Sequence, residues 1–268
     1  MCRTAISRTT PIAYVRRVRI TVLAGGIGGA RFLRGVRAAR PGDEITAIVN
    51  TGDDITLHGL RICPDLDSVM YTLGDGIDRD RGWGRADETW RIKDELATYG
   101  AEPAWFGLGD LDIATHLVRT RMLDTGYPLS DVTAALCERW RPGVTLLPMT
   151  DQRCETHVVV EIDHKRKAIH FQEWWIKHRA AIRAEAFVQV GLDDAKPAAG
   201  VLKSIAAADA ILVAPSNPVV SIGTILAVPG IRDATTAKTV VGVSGIIGGA
   251  PVRGMADACL AALSLIHI

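Results

Sequence analysis

Short, unbroken apolar runs alternate along this chain with longer stretches whose apolar residues recur every three or four positions. The runs are Ile20–Leu23 (ITVL), Glu44–Val49 (EITAIV), Val144–Met149 (VTLLPM), Asp209–Ala214 (DAILVA) and Thr239–Val243 (TVVGV). Runs this short and this rich in β-branched residues read as strands buried on both faces, as in a parallel sheet. Helical spacing fills much of the rest: Ala30–Ala39 with Phe32, Leu33 and Val36, Ala86–Tyr99, Asp112–Leu123 with Ile113, His116, Leu117 and Val118 on related faces, Ser130–Trp140 with Ser130 as a cap, and Pro197–Ala207. Strand, helix and strand within about thirty residues make a right-handed βαβ unit. The pattern predicts an α/β fold, a mostly parallel sheet with helices on both faces and a helical insertion at about 75–140. Thr156–Ile162 and Lys167–Phe171 read as an antiparallel hairpin turning through the basic run His164–Lys167. A short helix from Gln172 follows, then a strand over Phe187–Gly191. Trp174 and Trp175 in that helix cannot share one face, so one of them is expected to be partly exposed.

The ends of the strands carry the chemistry. Ile20–Leu23 runs into Gly25, Gly26, Gly28 and Gly29 before the helical pattern begins. Backbone stripped of side chains can approach an anion, and a following helix N-terminus adds a favourable dipole. The spacing is neither G-x-G-x-x-G nor a P-loop. Arg31, one step into the helix, is either a partner for phosphate oxygens or a solvated surface residue. Glu44–Val49 ends in Asn50-Thr51-Gly52-Asp53-Asp54, and in an open parallel sheet ligands sit beyond the carboxyl ends of the strands. Asp65 and Asp67 follow in the segment CPDLD, whose Pro64 suits a helix start. Four carboxylates beside a phosphate corner point, as a set, to a divalent cation such as Mg2+. Taken one at a time, Asp53 and Asp54 fit an Asx-type turn and Asp65 a helix cap.

Two further strand ends repeat the theme. Ser216, Asn217, Ser221 and Gly223 follow Asp209–Ala214, and Gly248 and Gly249 lead to Met255 after Thr239–Val243. Three side-chain-poor corners at one sheet edge suit a nucleotide with two phosphates.

Composition narrows the class. The 268 residues carry a formal net charge of +1, which excludes nucleic-acid binding driven by bulk electrostatics. Five cysteines with no C-x-x-C give neither a disulfide framework nor a zinc ribbon. No apolar run approaches the ~20 residues of a membrane span. A cytoplasmic protein is expected. Residues 1–17 lack a signal-peptide pattern and read as a disordered tail or a misassigned start.

In order along the chain, GGIGGAR, NTGDD, GLRICPDLD, GLGD, APSNPVVSIG and SGIIGGAPVRGMAD resemble the 2-phospho-L-lactate transferase (CofD/FbiA) family of coenzyme F420 biosynthesis, most closely its actinobacterial phosphoenolpyruvate transferases. The resemblance runs from Val18 to about Ala262. It implies a single Rossmann-like domain over 18–262, Mg2+ dependence and a homodimer. The implied reaction moves a phosphoenolpyruvyl or 2-phospho-L-lactyl group from a guanosine diphosphate-linked donor to the deazaflavin Fo, releasing GMP. Carried over by motif, Asp67 contacts Fo, Asp53 and Asp54 lie where the family handles the metal and the attacking hydroxyl, and either Asp67 or one of that pair orients or deprotonates the hydroxyl. Gly25, Gly26, Gly28, Gly29, Ser216, Asn217, Ser221 and Gly223 hold the diphosphate, and Gly248, Gly249 and Met255 lie on the guanosine side. Asp67→Ala is then expected to abolish transfer and spare the fold. A basic residue that some archaeal members carry in the GLGD-type turn is replaced by Gly107, which removes that Fo contact. Family members run longer, and the closing Leu263–Ile268 (LSLIHI) matches a translated library adapter, so 263–268 are expected to be the artefactual end of a truncated chain. The competing reading is a non-enzymatic nucleotide-sugar-binding regulator of the YvcK type, against which CPDLD argues. An NAD-dependent dehydrogenase is disfavoured by the missing G-x-G-x-x-G.

Overall fold

A computed structural model describes residues 17–252 and 255–263. The readings made for residues 1–16 and 264–268 lie outside the described residues.

The first strands in chain order are β1 (Arg19–Ala24), β2 (Glu44–Val49), β3 (Ile55–Leu57), β4 (Leu60–Ile62) and β5 (Thr145–Pro148), followed by β6 (Glu155–Ile162), β7 (Lys165–His170), β8 (Ala184–Val190), β9 (Ala210–Val213) and β10 (Val240–Gly242). A five-stranded sheet has the order β10-β9-β1-β2-β5, with every pairing parallel. The alternation of side chains across a strand divides the core in two. Val22, Ala24, Ala47, Val49 and Leu146 face one way, onto α1 (Gly26–Ala39), α2 (Pro64–Leu73) and the start of α5 (Leu129–Trp140). Leu23, Ile48 and Ile211 face the other, onto α6 (Val201–Ala207), α7 (Thr224–Ala227) and α8 (Ile231–Thr236). This is the Rossmann-like arrangement, with helices on both faces. Between α2 and α5 lie α3 (Arg91–Thr98) and α4 (Asp110–Asp124).

The chain builds outward from β1 to β2 and β5, then returns to add β9 and β10 on the other side of β1. The order therefore reverses between β1 and β9, the place where an open parallel sheet leaves a crevice.

A second, antiparallel sheet β7-β6-β8 packs with α9 (Ala256–Leu263). Trp174 is its fully buried centre and Trp175 its half-buried neighbour, stacked on Phe171 with ring centroids 5.4 Å apart. Only the first residue of the basic run lies in the hairpin turn: Asp163 and His164 take positive φ there, and Lys165–Lys167 are exposed strand residues.

Several boundaries differ from the spacing. Helix α1 starts at Gly26, four residues early, so the glycines form its first turn. The β3–β4 hairpin was not anticipated. Helix α6 starts late because Pro197 makes a bridge to Thr150 and Gly200 turns with φ 88°. Ser130 is not a cap: it sits inside α5, where its N–H and hydroxyl both donate to Asp151. Helix α4 buries only part of the face expected. Leu117 and Val118 are 54% and 49% exposed, whereas Ile113, His116 and Arg119 point inward. Among the described residues no helix is long and apolar enough to cross a membrane.

Trp174 fills the second core and donates its indole N–H to the Ile182 carbonyl at 2.7 Å. Trp174→Ala should cost about 3–5 kcal/mol, read as a lower urea midpoint with an unchanged slope.

Candidate functional site

Three strand ends meet at the crevice. At the end of β1, Gly25 donates its N–H to Ser216 Oγ at 2.9 Å, and the same hydroxyl donates to the Gly25 carbonyl at 2.7 Å. The glycine corner and the Ser216 corner thus hold each other. Gly28 is dictated by this contact, since a Cβ there would lie 2.6 Å from the Pro215 carbonyl. Gly26 takes φ +58°, a conformation that L side chains avoid, as the chain turns into α1. Gly25 lies against both the Asp65 carboxylate and Ser221. The third corner, after β10, reaches Pro215 through Gly245.

Asn50, fully buried at the end of β2, organises the acids. Its Oδ1 accepts from the Gly52 N–H at 3.0 Å, making the local Asx-type turn that had been assigned to Asp53 and Asp54. Its Nδ2 donates to Asp53 Oδ1 at 3.2 Å and to Asp65 Oδ2 at 2.9 Å. Asp65 does not cap its own helix, where no side-chain cap exists. It instead takes the Gly26 N–H at the start of α1. Burial drives both carboxyls up, and mutual repulsion adds to the rise at Asp53, which goes well above the usual range. Asp65 is pushed up to about 7, with burial opposed by the Asn50 hydrogen bond.

Asp54 is differently placed. Its Oδ2 accepts from Arg61 Nη2 at 3.0 Å and from the Cys63 thiol at 3.0 Å, and its carbonyl contacts His170 Nε2 at 3.1 Å. Burial raises it to about 6, with Arg61 opposing. The Cys63 thiol is pushed well up by burial.

Asp67 faces the opposite way, into α4. It is ion-paired with the fully buried Arg119, which also donates to His116 Nδ1 at 3.0 Å. That contact makes Nδ1 an acceptor and leaves the ring hydrogen on Nε2, 3.4 Å from Asp112 Oδ2. Tyr71 donates to Asp112 Oδ1 at 2.6 Å. Burial by itself would lower the pKa of the Arg119 guanidinium, but Asp67 more than offsets it and holds Arg119 charged.

The other expected residues divide. Ser216 and Ser221 join the glycine corner. Asn217 spends its Oδ1 on the Val219 and Val220 N–H groups and its Nδ2 on Cys259. Gly223 sits within the helical stretch that Asn217 caps. Gly248 and Gly249 form the exposed turn between two short strands, Ile246–Ile247 and Ala250–Pro251, with no atom near a would-be side chain, and Met255 lies just before α9. Arg31 lines a cavity on the outer side of α1. Asn50, Arg61 and Arg119 escaped the sequence reading. The signal for Arg119 was the Asp112, His116, Arg119 spacing along one face of α4.

As a cation site, Asp53 and Asp65 fit better than Asp53 and Asp54: two buried carboxylates share one amide, whereas Asp54 is already matched by Arg61. Among the described residues no group of three or more His, Cys, Asp or Glu is arranged to hold a metal. Mg2+ commonly takes one or two protein carboxylates and completes its shell with substrate phosphate and water, so the pair fits Mg2+ in particular.

A family model described as 2-phospho-L-lactate transferase CofD matches residues 20–266. Proteins named phosphoenolpyruvate transferase from Thermobifida fusca and Streptomyces coelicolor are 67% and 66% identical, over 91% and 92% of this chain and 78% of each relative. One from Mycobacterium avium is 55% identical over 92% of this chain and 80% of its own length. The crystal structure of protein BH3568 from Bacillus halodurans superposes with a TM-score of 0.61 at 20% identity, over 92% of this chain and 76% of that one, a likeness of fold.

The two acids of the CPDLD segment should respond oppositely to mutation. Asp67→Ala strands a buried guanidinium and should cost about 3–5 kcal/mol, recovered in large part by adding Arg119→Met. With Asp67 paired to a buried guanidinium, the variant is expected to lose stability, where the sequence alone led to the expectation of an intact fold. Asp65→Asn removes a repulsion and should hold or raise the urea midpoint at pH 8. A stable Asp67→Ala protein would refute the buried pair.

Proposed function

This chain belongs to the 2-phospho-L-lactate transferase CofD family and is a transferase, and from that premise we propose that it transfers a phosphoenolpyruvyl group from a guanosine diphosphate-linked donor to the hydroxyl of the deazaflavin Fo, giving dehydro coenzyme F420-0 and GMP. The observation that carries this reading is the meeting of the glycine corner, the Ser216 corner and the Asp53–Asp65 pair at one switch point of the sheet. The phosphoenolpyruvyl unit is preferred to 2-phospho-L-lactyl because the relatives at 55–67% identity are named for it.

Displacement at phosphorus asks the protein for position and charge more than for covalent chemistry. With the Gly26 N–H given to Asp65, the Ile27 and Gly28 N–H groups of the first turn of α1 lack partners within their own helix and suit the diphosphate. Ser216 and Ser221 flank them. Asp53 and Asp65 would hold Mg2+, which when bound would neutralise charge on the phosphate oxygens. One carboxylate of this pair orients the attacking hydroxyl and takes its proton, a task suited to a group titrating near neutral pH. Asp54 and Asp67, matched by Arg61 and Arg119, keep the loop and α2 in place beneath the pair.

The raised acids set a pH dependence. In the unfolded chain these carboxyls titrate near 3.8, in the folded one at about 6 for Asp54 and about 7 for Asp65. The folded state therefore binds more protons between these limits, and metal-free stability should fall as pH rises from about 4 through 7. Protons and Mg2+ compete for the pair. The rise in Tm on adding Mg2+ should be small at pH 5.5 and grow by pH 8, and equal shifts at both would refute the pairing.

Mass spectrometry of the reaction with Fo, Mg2+ and each donor tests the activity. The phosphoenolpyruvyl donor should yield the dehydro product together with GMP. Turnover of the phospholactyl donor alone would reverse the donor assignment, and no product with either would overturn the reading.

A further inference from the structure

The outer side of α1 carries a cavity that the proposed reaction does not use. Ile27, Arg31 and Arg34 line one wall, at spacings of four and three that place them on one helix face. Thr72 of α2 and the loop residues Ile77 and Arg79 line the other, around a volume of about 300 Å3. Arg31 and Arg34 have no ion pair or side-chain hydrogen bond among the described residues. Arg79 meets only Asp75, at 3.5 Å, with the two side chains 72% and 65% exposed, a contact that solvent largely screens.

Asp78, the one acid on the lining, does not balance these charges. Its Oδ1 accepts from the N–H groups of Asp80 and Arg81, and its Oδ2 is paired with Arg81 at 2.9 Å. Arg31 and Arg34 thus face one concavity without a carboxylate of their own, and Arg79 joins them with only its exposed contact to Asp75. In a chain of net charge +1 this is a local concentration of charge, not the average surface. The floor is mixed: Ile77 and Thr72 are buried, at 8% and 3% exposure, which lowers the local dielectric and strengthens charge pairing.

The geometry points to a second anion site, formed by Arg31, Arg34 and Arg79, that takes a small polyanion bearing phosphate or carboxylate groups. Guanidinium forks match both groups in bidentate fashion. The site is separate from the glycine corner. It lies on the flank of α1, with Arg34 about 12 Å along the axis from Gly26 at a rise of ~1.5 Å per residue. It stands independently of the transferase reading.

Arginine modification by phenylglyoxal, mapped residue by residue by mass spectrometry, tests it at fixed ionic strength with inorganic phosphate, citrate or chloride. Arg34 and Arg79 should react at least about five-fold more slowly in phosphate or citrate, while the exposed Arg121 and Arg139 react equally in all three. Protection by phosphate alone or citrate alone supports the site and names its ligand class. An anion confined to the glycine corner would leave Arg34 and Arg79 unprotected, and unchanged rates for both would overturn the proposal. In calorimetry with the same anion, Arg34→Ala with Arg79→Ala should weaken binding at least ten-fold, and an unchanged isotherm would count equally against the site.

Discussion

One amide, that of Asn50, stands between two buried carboxylates, and the crevice takes its form around it. Its Nδ2 reaches Asp53 and Asp65 while its Oδ1 fixes the turn at Gly52. Removing carboxylates from water is expensive unless they are paired or neutralised. Here a single neutral donor is shared by two acids, and the remaining cost appears as pKa values raised above the usual carboxylate range. A site so arranged attracts positive charge, whether a proton or a metal. It also ties the end of β2 to the first turn of α2, and through the Gly26 N–H to the first turn of α1. Three elements distant in sequence are therefore registered by one side chain.

The backbone makes this meeting possible. Strand β1 lies between β9 and β2, so the turn after β1 is flanked by the turns after both neighbours. Gly28 allows that turn to press against the Pro215 carbonyl, and the paired hydrogen bonds of Ser216 and Gly25 lock the approach. Glycine here serves packing between corners as much as access for an anion. A substitution that kept the helix but added a methyl group would separate the two corners on which the crevice rests.

Much of this was legible in the residues. The buried strands announced themselves as unbroken apolar runs, and their ends did fall on one edge of one sheet. What stayed hidden has physical causes. Glycine is a poor helix former, so Gly26–Gly29 read as a loop although the first turn of a helix, held by its neighbours, tolerates them. Strands β3 and β4 have three residues each, too few to show alternation. Helix α4 misled because its buried side is polar. Arg119 gives no sign of burial until Asp67 is known to sit opposite it. Asn50 gave no signal at all, since an asparagine at a strand end is ordinarily just a turn.

The segment CPDLD shows why a motif cannot be read as a list of ligands. Asp65 and Asp67 are two positions apart on α2, and each helical residue advances about 100°, so they point to nearly opposite sides. Asp65 meets Asn50 and the glycine corner, whereas Asp67 meets Arg119 on α4. The first turn of α2 is thereby clamped from both sides, by an amide on the crevice side and a guanidinium behind. A buried ion pair is an uncertain source of stability but a demanding constraint on geometry. Fixing the back of the turn fixes where Asp65 stands at the front. The two acids of the motif divide the work: one faces the crevice, and the other holds in place the helix that carries it.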